Sequence, residues 1–245
     1  MVPRRRTLHL RQRQPRHHFA IVWESSEATT NGGYDVAVIR SEIDWRDSEG
    51  YDAHDGRWSA MVAASFTDWL DARAGLRWLD VGCGTGALAS AALARAHPAS
   101  VVGIDPAMGY VQQAESRVDD PRASFVVADA MELPFADKTY DVVVSGLVLN
   151  FVPDPAGAIT EQARVARPGG VVGAYVWDYR DGLEFQRVFW EAAIAVEPSA
   201  VEAARRSTFP IAGPDRLEVL FAGAGLQEVR VRPIEIQTTF ASFDE

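Results

Sequence analysis

A glycine-rich turn and a later aspartate form the part of this sequence whose residue types could do chemistry. Residues 77–86 read Arg-Trp-Leu-Asp-Val-Gly-Cys-Gly-Thr-Gly, so an apolar run breaks into glycines at alternate positions, Gly82, Gly84 and Gly86. Glycine tolerates positive φ and has no Cβ, so the backbone can pass close to a ligand. The N-terminus of the helix that follows would face that ligand. Asp105, 19 residues beyond Gly86, ends a second apolar run and is placed to accept hydrogen bonds from ribose hydroxyls. The pattern predicts a nucleoside site.

The glycine spacing does not by itself identify the nucleoside. Gly82, Gly84 and Ala87 also satisfy the dinucleotide fingerprint Gly-x-Gly-x-x-Gly/Ala, so a nicotinamide-dependent oxidoreductase remains an alternative at this point. The third glycine at the next alternate position, with Asp80 before the turn, instead resembles the first motif, Asp/Glu-x-Gly-x-Gly-x-Gly, of the class I S-adenosylmethionine (SAM)-dependent methyltransferases. Within that family the resemblance is to the type 11 and ubiquinone-biosynthesis-methyltransferase-like group.

The resemblance implies roles for the residues of the turn and for those after the second strand. The backbone from Gly82 to Gly86 would pass under the methionine part of SAM, and Asp80 would belong to the same site. Asp105 would hold the ribose, with Pro106 beside it.

Later motifs agree with this family. Asp129-Ala130-Met131 follows a third apolar run and matches the adenine-binding turn, where Asp129 would accept from the adenine amino group while Ala130 and Met131 line the ring. The turn Arg-Pro-Gly-Gly at 167–170 is another signature of the family. Without these parallels, Asp129 would be read as a helix or turn cap.

The resemblance also implies residues at the cofactor entrance and on the acceptor side. Tyr51 and Arg57 match a pattern that precedes the first strand in some members, and Arg57 is placed to pair with the cofactor carboxylate. Leu147 and Asn150 follow the fourth parallel strand, where the family contacts the cofactor sulfur and the substrate. The candidate catalytic residues are Asn150, Asp178 and Tyr179, the last two at the end of the fifth strand.

Composition excludes several function classes. The chain has 245 residues, 47% of them hydrophobic, which suffices for one sizeable core. A net charge of −10 argues against a nucleic-acid partner. The single cysteine, Cys83, excludes a disulfide framework and a cysteine-cluster metal site, so no metal is expected. No apolar run approaches the ~20 residues that span a bilayer, and no signal peptide is visible. We therefore expect a cytoplasmic monomer or homodimer that does not contact membranes.

From Tyr51 onward, segments with apolar residues at helical spacing alternate with short apolar runs that suit strands. This order predicts an α/β fold with a doubly wound, mostly parallel, Rossmann-like sheet and helices on both faces. Five apolar runs predict parallel strands, and the fifth of them ends at Trp177. Residues 226–240 alternate between apolar and polar side chains well enough for a sixth strand. The sheet of the resembled family has a seventh strand, antiparallel between the fifth and sixth, for which no sequence remains. We expect either a C-terminally truncated sheet or a sixth strand that takes the vacant place.

The predicted organisation is therefore an extension and one domain. Residues 1–50 form an N-terminal extension, rich in arginine up to residue 16 and expected to be poorly ordered, and residues 51–245 form the SAM-binding domain. The function that the resemblance implies is methyl transfer from SAM to a small-molecule acceptor, at oxygen, nitrogen or carbon. The alternatives are a SAM-binding protein without transferase activity and the oxidoreductase named above.

Overall fold

A computed structural model describes residues 19–24, 57–178, 184–206 and 213–236. Its strands are β1 (Phe19–Glu24), β2 (Arg77–Val81), β3 (Ser100–Asp105), β4 (Ala123–Val127), β5 (Tyr140–Gly146), β6 (Ala166–Val176) and β7 (Gln227–Pro233). Its helices are α1 (Arg57–Leu70), α2 (Ala87–Arg95), α3 (Met108–Arg117), α4 (Pro155–Val165), α5 (Glu184–Val196), α6 (Val201–Arg206) and α7 (Pro214–Gly223), with a 3-10 turn at Pro198–Ala200. Within these ranges no helix is both long enough and apolar enough to cross a bilayer.

The strands form one sheet in the order β4-β3-β2-β5-β6-β1-β7. The first five strands in this order are mutually parallel. Chain order reverses between β2 and β5, because β3 and β4 lie on one side of β2 whereas β5 and β6 lie on the other. Ligands of open α/β sheets bind outside the carboxyl ends of the strands at such a switch point. The predicted fold class is confirmed, and the sheet brings the glycine turn after β2 to this point.

Two apolar cores, one on each face of the sheet, hold the helices in place. On one face, Val62 and Phe66 of α1 pack with residues of α2, α3 and the central strands. On the other face, Ile159 of α4 and Phe221 of α7 pack against the opposite sides of the same strands. The central strand β5 reads Tyr-Asp-Val-Val-Val-Ser-Gly and is buried on both sides, as expected for the middle of a parallel sheet.

The antiparallel strand beside β6 comes from the N-terminal extension. β1 pairs antiparallel with β6 from Phe19↔Val176 to Glu24↔Val171. Its other edge pairs antiparallel with β7. β7 is thus parallel to β6 and takes the edge position. No strand follows β7 in the described ranges, as predicted, and β1 occupies the place where the family has its last strand.

Two sequence expectations are therefore corrected. The sixth parallel strand does not move into the vacant place, because β1 already satisfies the hydrogen-bonding edge of β6. The extension is not uniformly outside the fold, since six of its residues form an inner strand. The boundary at residue 50 stays a prediction.

The Arg-Pro-Gly-Gly segment forms a bulge in β6. Tyr140 pairs with Ala166, but Val142 pairs with Val171, so the segment lies between two successive pairings with β5. Gly169 has φ 72°, a conformation that glycine adopts without steric cost. The guanidinium of Arg167 forms an ion pair with the buried carboxylate of Asp141. This signature therefore ties together the N-terminal ends of β5 and β6, which are remote from the predicted site.

Candidate functional site

The glycine turn after β2 bends through three left-handed residues. Gly82, Gly84 and Gly86 have φ values of 72°, 51° and 89°. A Cβ on Gly82 would overlap the side chain of Val148, whereas a Cβ on Gly84 would meet no atom within 4 Å. Gly84 therefore presents bare backbone to open space. α2 begins directly after Gly86, so its free N–H groups face the same side.

The turn lies at the mouth of a cavity of about 330 Å³ at the carboxyl ends of β2, β3 and β5. Its walls are formed by Ser59, Asp80, Gly82, Cys83, Gly84, Thr85, Ala87, Leu88, Asp105, Pro106, Ala107, Tyr110, Asp129, Ala130, Gly146, Leu147, Val148, Phe151, Val152, Pro153 and Tyr175. Among the described residues, three acids and no basic side chain line this cavity. The volume lies within the range of small-molecule and cofactor pockets.

Asp80 contributes a buried carboxylate to this cavity. It lies one residue before the end of β2, its residue is 1% exposed, and neither carboxylate oxygen accepts a hydrogen bond of ordinary geometry among the described residues. Burial raises the pKa of Asp80 to about 7, although the nearby backbone N–H of Ala89 in the first turn of α2 opposes the increase, and the negative charge of Asp105 adds a smaller increase. Because an unpaired buried polar group is unfavourable, this carboxylate requires a cationic or hydrogen-bond-donating ligand.

Asp105 is held by the backbone on both sides of the cavity. The N–H of Gly84 donates to its Oδ2 at 3.1 Å, and the N–H of Ala107 donates to its Oδ1 at 2.9 Å. Burial raises the pKa of Asp105, while these two donors oppose the increase. Each carboxylate oxygen has a second lone pair, so both remain able to accept from a ligand hydroxyl. The aspartate thus fastens the glycine turn to β3 and also borders the cavity.

Asp129 and Ala130 follow β4 and reach the cavity at its far end. The N–H of Met131 donates to Oδ1 of Asp129 at 2.9 Å, so the turn is capped by its own acid. Ala130 is buried against the second apolar core. The side chain of Met131 points instead toward α4, where its methyl carbon lies 2.8 Å from the position that a Cβ on Gly157 would occupy. Met131 consequently does not reach the cavity wall.

The strand end after β5 shows backbone strain beside the cavity. Leu147 has φ 61°, a left-handed value that is unfavourable for a residue with a Cβ. Its N–H donates to the carbonyl oxygen of Tyr175 at 2.8 Å, which ties β5 to β6. The phenol of Tyr175 lies over Gly146 and leaves no room for a Cβ there. The ring of Tyr175 also contacts the ring of Phe66, with centroids 4.9 Å apart.

The structure brings most of the predicted cofactor residues to one cavity. Those at its wall are Asp80, Gly82, Gly84, Asp105, Pro106, Asp129, Ala130 and Leu147. Gly86, Met131, Asn150 and Asp178 do not line it. Tyr51 and Tyr179 lie outside the described residues, as does the side chain of Arg57. The roles assigned to all of these residues remain predictions.

Several wall residues escaped the sequence interpretation. Tyr175 sits within an apolar strand, two residues before the predicted strand end, and only its polar hydroxyl distinguishes it from its aliphatic neighbours. Ser59 and Tyr110 come from α1 and α3, so no local motif connects them with the glycine turn. Cys83 also borders the cavity, and because burial raises the pKa of its thiol, the group is neutral rather than a thiolate.

Comparison with known proteins decides the family. Residues 79–173 match the family profile described as a methyltransferase domain. The demethylmenaquinone methyltransferase of Roseiflexus sp. strain RS-1 is 31% identical over 171 residues, which cover 64% of this chain and 70% of the relative. The chain belongs to the class I SAM-dependent methyltransferases.

Two further proteins are similar to this methyltransferase, one in sequence and one in fold. The 27-O-demethylrifamycin SV methyltransferase of Amycolatopsis mediterranei is 38% identical over 153 residues, covering 56% of this chain and 54% of the relative. A Haloferax volcanii methyltransferase, solved in complex with a methyltransferase activator, aligns with a TM-score of 0.55 and 23% identity over 77% of each chain. This structural likeness supports the fold. Membership of the family identifies the protein as an enzyme and SAM as its cofactor, so the oxidoreductase and the non-catalytic SAM-binding protein are set aside.

The cavity of this methyltransferase fits SAM on chemical grounds. SAM carries a sulfonium and an ammonium against one carboxylate, so its net positive charge complements a wall with three acids. The unpartnered carboxylate of Asp80 could accept from the ammonium, Asp105 from the ribose, and Asp129 from the adenine amino group. A dinucleotide, with its anionic pyrophosphate, would be repelled by the same wall. The bound cofactor supplies a methyl group activated by positive sulfur.

Replacing Asp105 by alanine should remove most of the stabilisation that SAM confers. A ligand that binds only the native state raises the melting temperature by mass action, and the substitution removes the ribose acceptor. It also frees the N–H of Gly84, so the turn itself should loosen. The measurement is the melting temperature with and without millimolar SAM. If SAM raised the melting temperature of Asp105→Ala as much as that of the parent, the assignment would be contradicted. Asp119→Ala is the control, because Asp119 is an exposed acid beyond α3.

Proposed function

We propose that this methyltransferase transfers the methyl group of SAM to a small, uncharged and largely apolar acceptor. The observation that carries the proposal is the composition of the side of the cavity that comes from β6 and from the segment after β5. That side is formed by Leu147, Val148, Phe151, Val152 and Tyr175. Such a wall excludes water from the reacting atoms and favours an aromatic or aliphatic acceptor.

The charge of the wall supports the same acceptor class. Since no lysine, arginine or histidine in the described ranges lines the cavity, an anionic acceptor such as a phosphate or an acidic peptide would find no cationic partner there. The net charge of −10 points in the same direction for polyanions. The relatives named above, which carry demethylmenaquinone and demethylrifamycin in their names, are consistent with a small organic acceptor.

Methyl transfer asks mainly for alignment and exclusion of water. Donor and acceptor must lie in line within a closed cavity, which can replace a large entropic barrier. If the acceptor is a hydroxyl or an amine, its proton must leave, and Asp178 or Tyr179 at the end of β6 is our candidate base. An acceptor carbon remains an equally open choice.

Asn150 is the third proposed catalytic residue. Both polar atoms of its side-chain amide are buried and have no hydrogen-bond partner among the described residues. An amide left in this condition offers one acceptor and two donor hydrogens. We assign it to orienting the polar group of the acceptor, because it lies in the segment after β5 that contributes Leu147 and Phe151 to the cavity wall. We place the reaction in the cytoplasm and leave monomer or homodimer as the assembly.

The acceptor class can be tested by following S-adenosylhomocysteine formation with a panel of compounds. The panel should contain quinols, phenols and aliphatic amines, with RNA and an acidic peptide as charged alternatives. Turnover is expected with the uncharged aromatic compounds and not with the polyanions. Mass spectrometry of the product then identifies the methylated atom. Turnover confined to RNA or peptide would overturn the proposal while leaving SAM binding intact.

Phe151→Ala should raise the KM for the acceptor about tenfold, because truncating this half-buried aromatic side chain of the cavity wall removes a contact of about 1.5 kcal/mol. Phe151→Leu retains an apolar wall and should lose much less. The Kd for SAM, measured by calorimetry, should change little in either variant. Equal losses in acceptor KM and SAM Kd would place Phe151 in the cofactor site instead.

A further inference from the structure

The turn that carries Asp129 and Ala130 continues into a loop that has little secondary structure of its own. This Asp129 loop, residues 129–139, contains one isolated bridge, between Asp129 and Glu132. Its remaining polar backbone groups need partners elsewhere, because a loop held only by itself would sample many conformations.

The C-terminal half of α4 supplies these partners. The carbonyl oxygens of Arg164 and Val165 accept from the N–H groups of Lys138 and Thr139 at 3.0 and 2.8 Å.

Two side chains of α4 bind the part of the loop that is nearer Asp129. Oε2 of Glu161 accepts from the N–H of Leu133 at 3.0 Å. The guanidinium of Arg164 donates to the carbonyl oxygen of Leu133 at 3.0 Å and to that of Phe135 at 2.8 Å. It also pairs with the carboxylate of Asp137 at 2.8 Å. Arg164 thus contacts the Asp129 loop at three alternate residues.

Glu161 and Arg164 also hold each other. Nε and Nη2 of Arg164 donate to the two oxygens of Glu161, each at 2.7 Å. This bidentate geometry fixes the plane of the guanidinium. The partners lower the pKa of Glu161 and raise that of Arg164, so both remain charged. The pair is therefore a rigid bracket rather than two mobile surface side chains.

The Glu161–Arg164 pair lies outside the cavity and contacts the loop that borders it. Neither Glu161 nor Arg164 lines the cavity, whereas Asp129 and Ala130, four and three residues before Leu133, do. Leu133 is buried in the second apolar core, so its backbone position fixes the register of the turn that precedes it. Displacement of the loop at Leu133 would move Asp129 relative to the glycine turn.

We propose that Arg164, together with Glu161, is a positioning residue for SAM, and that it holds the Asp129 loop in the conformation that presents Asp129 and Ala130 to the cofactor. Arg164 itself does not touch the ligand. Its loss reduces the fraction of molecules in which the loop is competent, and the apparent Kd rises by the inverse of that fraction. A fall in this fraction to about one tenth corresponds to about a tenfold weaker Kd.

The experiment measures the Kd of full-length protein for SAM and for 5′-methylthioadenosine by calorimetry. Arg164→Met should weaken both ligands by about the same factor, on the order of tenfold, because the effect lies at the nucleoside end that they share. Arg164→Lys, which keeps the charge but loses the fork, should show an intermediate loss. No acceptor is needed, so the outcome is independent of the proposed acceptor class.

A double-mutant cycle separates positioning from general stability. A displaced loop has already lost the Asp129 contact, so the loss in affinity of Asp129→Ala combined with Arg164→Met should be smaller than the product of the two single losses. Arg122→Met is the matched control, because Arg122 also pairs with a carboxylate, that of Asp120, and donates to two carbonyls. These carbonyls lie at and after the end of α2, which packs on the other face of the sheet from α4. The Kd of Arg122→Met should be unchanged.

Additive losses in the cycle, or an unchanged Kd in Arg164→Met, would overturn the proposal. If Arg164→Met does not fold, Arg164→Lys and Glu161→Gln give the same decision, since each keeps part of the bracket. Unchanged Kd values in both of these variants would equally refute it.

Discussion

Removing residues 1–24 should lower the free energy of unfolding by about 5 kcal/mol. The deletion takes away β1, which lies between β6 and β7 and pairs with both. β6 would then expose a row of unpaired N–H and C=O groups, and β7 would lose its only partner in the described sheet. A net contribution of about 0.5 to 1.5 kcal/mol per backbone hydrogen bond makes the total comparable with the margin of roughly 5 to 15 kcal/mol of a domain.

Urea denaturation followed by circular dichroism measures this change. We expect a lower midpoint with a smaller slope, because a sheet without its inner strand buries less surface. Removal of residues 1–17 alone retains β1 and serves as the control, with an expected midpoint equal to that of the parent. A deletion of residues 1–24 that leaves the midpoint unchanged would show that β1 does not contribute to the stability of the sheet.

Two variants test the strand without large deletions. Val22→Pro removes the N–H of a residue that pairs with Gly173 on one side and Arg230 on the other, and proline is not accommodated in an inner strand. It should destabilise the full chain by about 3 kcal/mol or more. Conversely, a synthetic peptide of residues 15–26 should restore part of the stability of the deleted chain by adding a strand at the vacant place.

The place of β1 was beyond the reach of the sequence interpretation for a physical reason. The run Phe-Ala-Ile-Val-Trp-Glu at 19–24 is apolar and β-branched, so it suits a strand, but its partners Val171–Val176 and Gln227–Pro233 lie far along the chain. A local pattern does not show which distant strands such a run pairs with, so the run fell within the extension that was expected to be poorly ordered. The resemblance led us to expect the antiparallel strand only after β7, whereas the fold supplies it from residues 19–24.

The switch point, by contrast, could be predicted because its signals are local. Gly82, Gly84 and Gly86 demand a turn with positive φ, and Asp105 ends a buried run, so both features follow from short stretches. For side chains within strands and loops, no local signal shows which of them face the cavity. Tyr175 and Met131 illustrate this, since the direction in which each side chain points depends on the register of β6 against β5 and on Gly157 of α4.

Arg164 shows a third kind of limit. Its spacing from Glu161 is an ordinary i,i+3 pair on a helix, for which a few tenths of a kcal/mol would be expected. What makes it distinctive is that three groups of a separate loop converge on it. That convergence exists only after α4 has packed on the sheet.

Asp80→Asn should stabilise the ligand-free protein near pH 8 and at the same time weaken its affinity for SAM. The pKa of Asp80 is 3.8 in a model peptide and about 7 in the fold, because burial disfavours the charged form. Between these values the folded state binds the proton that the unfolded state has released. The free energy of unfolding therefore decreases as pH rises from about 4 to about 7 and stays low above that.

The size of the effect follows from the linkage between pKa and stability. At about 1.4 kcal/mol for each pKa unit, the ionised Asp80 lowers the stability of the ligand-free protein by about 4 kcal/mol above pH 7. A neutral amide avoids this penalty but remains an unpartnered buried polar group, which costs about 1 to 3 kcal/mol. The net gain of Asp80→Asn at pH 8 should be about 2 kcal/mol. At pH 5 the penalty is only about one pKa unit, because the unfolded state alone has released its proton, so the cost of the buried amide should cancel the gain there.

The parent protein should bind SAM more tightly than Asp80→Asn, although it is less stable without ligand, because the ammonium of SAM pairs with the charged form of Asp80. In the parent protein, the Kd for SAM should rise about tenfold for each pH unit below 7, since the proton must leave before the ammonium pairs. Asp80→Asn should bind SAM about ten- to a hundredfold more weakly at pH 8, the loss expected for a charge-assisted hydrogen bond, and its Kd should not vary with pH in this range. Calorimetry in buffers of different ionisation enthalpy measures the proton released on binding. A parent Kd that is flat from pH 5 to 8, or an Asp80→Asn protein no more stable than the parent at pH 8, would show that the ammonium is bound elsewhere or that the carboxylate is already paired.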